Sequence, residues 1–412
     1  MRSKGSGTLF KRNERAPWIA SWYDHLGKRH NKSTKTTDKA TADRILRNWV
    51  AQDALRRSGV IDVAEERVAN ESKRKLEEVL ADYESQLDVA GRDEKYVSTT
   101  LSYIRSAATH AHWSRISDIN ADSVQRWAGH LKSDRMSTCT IRGRLTAVKG
   151  FTRWLVKQGK LKSDPLATVS KPTGQSDRRH VRRMLLPEEW ARLRDATQSG
   201  PVRYGMDARA RVILYATAIQ TGLRASELRS LIIGNVVLCS SGKPSYVLCK
   251  GWSTKNGKDA RQYINQDLAD ELRVYLSTRL HKPGTSLFDM PGEDHQATML
   301  REDLDDARKA WLEEAKDDPE ELKRRAGSDF LAVTNHAGEV LDFHSLRHTC
   351  GAWLAQAGCH PKTIQTIMRH STINLTMNTY GHLFPGQEAD AVAKLPAMMS
   401  PPASGEVKND EA

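Results

Sequence analysis

The sequence predicts a mainly α protein with small β-sheets, arranged as a small sheet-plus-helix domain, an all-helical domain and a mixed α/β domain. Three observations lead there. Amphipathic stripes at helical spacing recur from Leu76 onward, alternating runs are short and confined to two places, and a basic stretch with Pro172 and Gly174 separates two long periodic regions. A chain of 412 residues holds two to four domains on length alone, and 38% hydrophobic residues suffices for ordinary cores.

The first domain is assigned to residues 1–62. Pro17 to Tyr23 alternates, with Trp18, Ala20 and Trp22 on one face; Gly27-Lys28-Arg29 makes a turn, and Arg29 to Thr34 reads as a second strand. Asp38 can then cap a helix with Ala42, Leu46, Trp49 and Val50 on one side. Charge concentrates here: residues 1–57 hold 14 Lys/Arg against 5 Asp/Glu, nine of the thirteen net positive charges of the chain. Such a field fits a polyanion, with Lys28 and Arg29 as candidate contacts. A basic solubilising appendage around a Trp core is the alternative.

Residues 73–170 read as all-helical. Leu76, Val79, Leu80, Tyr83 and Leu87 form one stripe, and Ile141, Leu145, Val148 and Leu155 another. Arg142, Lys149 and Arg153 share the opposite side of the last helix, facing either a nucleic acid or solvent. Asp164-Pro165-Leu166 closes the domain, and residues 171–184, with Arg178 and Arg179, read as a basic linker.

Residues 185–386 form the third domain. Arg209 to Gln220 is a mostly apolar helix ended by Thr221-Gly222, which puts Arg224 at the junction before the next helix. Glu227 can fold back on Arg224 at helical spacing, or the two can be a plain surface pair. Ser245 to Leu248 and Ala260 to Ile264 read as two strands joined by a loop holding Asn256-Gly257, with Lys255 just before the turn and Lys250 and Lys258 as competitors. Ser345 to Gln356 is a helix with Leu346, Thr349, Cys350, Trp353 and Leu354 on one stripe, and His344 and Arg347 emerge together at its start. Lys362 to Met368 leads to His370, and a short helix over Asn374 to Thr379 delivers Tyr380. Asp303 to Arg325 reads as a charge-rich helical insertion without chemistry. Residues 387–412 are a polar tail expected to be disordered.

No run of 18 apolar residues and no N-terminal hydrophobic region occur, so neither a membrane span nor a secretion signal is expected, and the reading is a cytoplasmic protein. Five cysteines without C-x-x-C spacing predict reduced, packed thiols and no metal site.

The chemistry lies in one ordered set: Arg224, Lys255, His344-x-x-Arg347, His370 and Tyr380. Two guanidinium forks can hold a phosphodiester and the charge it gains under attack without a metal. A tyrosine hydroxyl, with its ordinary pKa near 10, needs a proton acceptor and a positive field to attack. Histidines supply both, and a mobile lysine can protonate the departing oxygen. Taken singly, each residue has a bland reading, from helix-end cation to core aromatic.

In this order and these contexts the set resembles the tyrosine recombinase (phage-type integrase) family. The resemblance extends to the basic sheet-plus-helix segment, which looks like an arm-type DNA-binding domain, and to the helical unit, which looks like a core-binding domain ahead of a catalytic domain. It implies a site-specific DNA recombinase of a phage or mobile element, with no cofactor, metal or nucleotide. Tyr380 would be the nucleophile, Lys255 the general acid and His344 the favoured proton acceptor, with Arg224, Arg347 and His370 on the phosphate and Glu227 in support. Arg142, Lys149, Arg153, Arg178 and Arg179 would join Lys28 and Arg29 as DNA contacts. The implied partners are double-stranded attachment sites, a homotetramer acting through a Holliday junction, and a DNA-bending accessory protein; in a bacterium it would be nucleoid-associated. A type IB topoisomerase and a non-catalytic DNA-binding regulator are the rival readings. One departure stands out: the family usually has Gly before the second histidine, and this chain has Arg369.

Overall fold

A computed structural model describes residues 7–173, 177, 179–239, 242–254, 257–278, 282–384 and 392. The chain divides into two compact units between Arg179 and His180.

The first unit opens with an antiparallel sheet of β1 (Thr8–Phe10), β2 (Ile19–Tyr23) and β3 (Arg29–Ser33). The sequence reading found β2 and β3 and missed β1, whose three residues are too few to show a period. Asp24 builds the β2–β3 turn, accepting the backbone N–H groups of Leu26 and Lys28 at 2.9 Å each, and Gly27 takes φ 81. Helix α1 (Lys39–Arg57) starts under the Asp38 cap, which accepts the Thr41 N–H at 2.7 Å. It closes a small core of Ala20, Trp22 and Leu46, and Trp22 donates to the buried Asp53 at 2.7 Å.

Helix α2 (Val63–Glu71) falls between the two domains expected from sequence and buries no residue. Charge pairs hold it: Arg56 grips both oxygens of Glu66 at 2.6 and 2.7 Å, and Lys162 pairs with Glu65. Beyond it, α3 (Leu76–Val89), α4 (Glu94–Ala111), α5 (Ala121–Ser133) and α6 (Thr138–Lys157) enclose one apolar core that includes Leu80, Ile104, Trp127, Leu145 and Phe151. Asp93, Asn120 and Ser137 cap α4, α5 and α6.

The second unit contains α7 (Pro187–Gln198), α8 (Ala208–Thr221), α9 (Ala225–Arg229), a sheet of β4 (Val236–Val237), β5 (Tyr246–Cys249) and β6 (Ala260–Tyr263), then α10 (Gln266–Ser277), α11 (Glu293–Glu313), α12 (Pro319–Ala326), α13 (Phe343–Gln356), α14 (Pro361–Met368) and α15 (Ile373–Tyr380). Helix α8 is its axis, packed by α7, α10 and α13. None of its residues is fully exposed, as expected of a helix surrounded by others, and its one fully buried charge, Arg211, is paired.

Three expectations are corrected here. The linker read over 171–184 is shorter, because its last residues belong to the second unit. The Arg183 guanidinium clamps the buried Glu189 at 2.8 and 2.9 Å, and Arg182 holds Asp342. Upstream, Asp177 accepts both the Thr138 N–H and hydroxyl, which ties that residue to the start of α6. The charged stretch 303–325 is not wholly an insertion: α11, in which it begins, packs into the core, and Asp303 binds Arg211 at 2.9 Å and the Tyr215 hydroxyl at 2.8 Å, whereas α12 buries no residue. Arg211 is 0% exposed. The sequence pattern hides this because the partners lie in segments about 90 residues apart. The third concerns the hairpin, which carries β4 as an additional short strand. No described helix is long and apolar enough to cross a membrane.

Candidate active site

Helices α8 and α14 both end where the site begins. Helix α8 stops at Gly222 in the left-handed region, φ 59, and a Cβ there would lie 2.9 Å from Met368 Sδ and 3.2 Å from Cys350 Sγ, so only glycine admits this approach. The freed carbonyls are collected by two side chains. Arg347, on the first turns of α13, donates to Gly222 O and Met368 O. Gln262 of β6 donates to Thr221 O at 3.0 Å and Ile367 O at 2.8 Å. Two helix C-termini, each the negative end of its dipole, are thereby tied together beneath a cation.

Arg347 is 4% exposed. Burial, with Arg224 and Arg369 nearby, brings its pKa down to about 10, which leaves it charged at neutral pH. Arg224 is the N-cap residue of α9, with its backbone N–H on Glu227 Oε2 at 2.7 Å and its Nη1 on Oε1 at 3.1 Å. Glu227 is 1% exposed, so the plain surface pair is ruled out. Its Oε2 also accepts from Arg369 Nη2.

Helix α13 starts at Phe343, two residues before the sequence reading, because Asp342 caps it and accepts the Ser345 N–H at 3.0 Å. His344 stands on its first turn beside Arg182. Burial of the ring, then the charges of Arg182, Arg347 and Arg224, bring its pKa down to about 4. His370 follows the end of α14, its Nδ1 in a hydrogen bond with Thr376 at 2.9 Å. Burial and the same two arginines, Arg347 and Arg224, bring it to about 4 as well. Both imidazoles are neutral at pH 7 and can accept a proton.

Tyr380 is the last residue of α15, 2% exposed. Its ring stacks on His348 at 5.2 Å between centroids and lies parallel to His370 at 6.4 Å. A Cβ at Gly351 would collide with Tyr380 Cζ, Cε2 and Oη, so the ring rests on bare α13 backbone. Burial pushes its hydroxyl pKa up, and the Arg347 charge pulls it the other way. Arg224, Glu227, His344, Arg347, His370 and Tyr380 thus share one charge field. Lys255 and Arg178 lie outside the described residues. Of the competing lysines, Lys250 pairs with Asp259 at 3.5 Å and Lys258 is exposed.

The model of the Phage integrase family matches residues 183–386, and that of the phage integrase N-terminal SAM-like domain matches residues 94–159. This chain belongs to the tyrosine recombinase family. Among its relatives, tyrosine recombinase XerA of Thermococcus kodakarensis is 27% identical over 325 residues, covering 77% of this chain and 97% of that protein. Tyrosine recombinase XerD of Caulobacter vibrioides is 26% identical over 275 residues, 65% of this chain and 78% of that one. A lambda integrase dimer bound to a COC′ core site shares the fold, with TM-score 0.54 at 15% identity, covering 90% of this chain and 93% of that one. The Tn1549 transposon integrase in complex with circular intermediate DNA gives TM-score 0.53 at 18% identity, covering 76% and 98%.

Within this recombinase several site residues escaped sequence reasoning. Gly351 carried a signal, since a glycine inside a helical pattern marks a close approach. Gln262, Thr376 and the role of Gly222 as an acceptor carried none. His348 lay inside the recognised motif without an assigned role, and the structure puts it on the Tyr380 ring. The thiols are packed where buried: Cys350 is pushed up to about 12 and Cys249 to about 11 by burial. Among the candidate DNA contacts, Lys28, Arg29, Arg142 and Arg153 are exposed. Lys149 is a correction, because its ammonium turns inward to Ala167 O and Val169 O. Arg179 likewise serves Arg135 O, Met136 O and Asp177.

Proposed function

We propose that this recombinase cuts and rejoins double-stranded attachment sites through a 3′-phosphotyrosyl link on Tyr380, and that it integrates and excises a mobile element. Arg224 and Arg347 take the non-bridging oxygens of the scissile phosphate, with His370 beside them. The Tyr380 oxygen attacks phosphorus while His344 accepts its proton. The bond to the 5′-oxygen breaks, and Lys255 protonates the leaving hydroxyl. The bond energy stays in the phosphotyrosine, so an incoming 5′-hydroxyl restores the backbone by the reverse steps without ATP.

The observation that carries this reading is the convergence on Arg347: its guanidinium is fixed by two helix-end carbonyls, and its charge acts on His344, His370 and Tyr380 together. Preorganised cations at the site of developing charge are the largest single contribution such an enzyme can make. A tetramer on two duplexes is the assembly in this reading, supported by the likeness to a lambda integrase tetramer bound to a Holliday junction, TM-score 0.53 at 14% identity. A DNA-bending accessory protein is a further partner, and the place of work is the cytoplasm, on the nucleoid of a bacterial host.

The test is a trapped covalent complex on nicked DNA in EDTA, mapped by peptide sequencing. The adduct should form without metal or nucleotide, since guanidiniums and a lysine carry the charge, and should sit on Tyr380. An adduct on another residue, or cleavage restored only by a divalent ion, would overturn the assignment. Strand joining between two duplexes, rather than relaxation of one plasmid, separates this reading from a topoisomerase.

A further inference from the structure

Arg369 occupies the position where the resembled pattern has glycine, and it keeps a glycine-like backbone at φ 50. A side chain is strained there, so its presence calls for a reason. Its side chain is 8% exposed, Nη2 donates to Glu227, and Nε and Nη1 are buried with no hydrogen-bond partner among the described residues. Folding alone does not account for burying a guanidinium with two idle nitrogens.

Glu227 supplies the reason. A lone Arg224–Glu227 pair would be closed and neutral, and a buried carboxylate that holds an arginine by both backbone and side chain would compete with a phosphate for it. With Arg369 on Oε2, one carboxylate is divided between two guanidiniums. The three arginines and one carboxylate then leave a net charge of +2 with both histidines neutral. A pentavalent phosphorus under attack carries two negative charges, one more than the resting phosphodiester, so this excess suits the transition state better than the ground state.

We propose that Arg369 is a positioning residue for strand cleavage: by sharing Glu227 it keeps that carboxylate from neutralising Arg224, which stays oriented and free for the scissile phosphate. This rests on the reading that Arg224 binds that phosphate. The experiment is a double-mutant cycle on the full chain, using a nicked duplex carrying the site recovered from wild-type adducts, with single-turnover cleavage and DNA Kd both read. Arg369→Gly, which suits the left-handed backbone, should cut cleavage about 10-fold or more while Kd stays within about twofold. Arg369→Lys should restore most of the rate. Adding Glu227→Gln to Arg369→Gly should recover about threefold or more, because the uncompensated carboxylate is then gone.

Wild-type cleavage by Arg369→Gly overturns the proposal, and so do losses that simply multiply in the double variant, which would mean that Arg369 touches phosphate itself or only packs. Should the glycine variant melt early, Arg369→Gln carries the same expectation. Failure of the wild type to form an adduct on Tyr380 would instead sink the function, a separate outcome.

Discussion

The two units use their basic residues in opposite ways. In the second unit the arginines that matter are sunk: Arg347 is buried and held by two backbone carbonyls, the Arg369 side chain is only 8% exposed and held by a carboxylate, and Arg224 is anchored at a helix start. In the first unit Lys28, Arg29, Arg142 and Arg153 are exposed, and Lys32 merely lies over Trp49 at 5.0 Å. A buried, oriented cation can discriminate a transition state from a ground state, because water does not screen it and nothing must reorganise. An exposed one contributes affinity that salt removes. Position in the fold, more than residue type, separates chemistry from adhesion.

The largest test of that contrast is Arg347→Lys. The charge survives, but the planar fork that spans Gly222 O and Met368 O is lost, so single-turnover cleavage should fall on the order of 10² or more with DNA affinity little changed. A rate near that of the wild type would show that charge alone suffices and would break the distinction between the units.

Gly351→Ala comes next. In an open helix this change stabilises by roughly 1 kcal/mol, whereas here the new Cβ strikes the Tyr380 ring, and overpacking should cost about 1–3 kcal/mol in a melt and depress adduct formation. A stabilised, fully active variant would remove the α13 backbone from the account of how the tyrosine is aimed.

The histidines predict a pH dependence. His344 and His370 have pKa values near 4 against an ordinary 6.5, so the unfolded chain binds protons that the folded one refuses. The stability they contribute is fully present above 6.5 and is lost as pH falls toward about 4. Denaturant midpoints of the DNA-free protein should drop across that window, and His344→Asn should flatten the drop. A wild-type curve indifferent to this window would mean that the two rings are not embedded among cations.

The smallest effects separate two cations of α6 that the sequence treated alike. Arg142→Ala should lower the salt slope of DNA binding by about 0.9 without moving the melting temperature. Lys149→Ala should do the reverse, leaving the slope and costing about 1.5 kcal/mol, since its ammonium holds two carbonyls. Equal behaviour of the two would erase the line between exposed and engaged charge.

The sequence by itself determined the local parts. Helical stripes, the Asp38 cap, the Gly222 stop and the hairpin strands follow from periods and end signals that act over a few residues, and Arg224, His344, Arg347, His370 and Tyr380, which the structure brings together, could be singled out because, Arg369 apart, they keep their local contexts. Tertiary structure decided the rest. It settled that Glu227 is buried and shared, that α11 belongs to the core through Arg211 and Asp303, that Lys149 turns inward and that Tyr380 rests on Gly351. Each of these depends on a partner far away in the chain, and one strand of sequence carries no record of which distant carbonyl, carboxylate or bare backbone a side chain will meet. Burial then sets the energy of that meeting, by removing the water that would otherwise make every charge on the chain look alike.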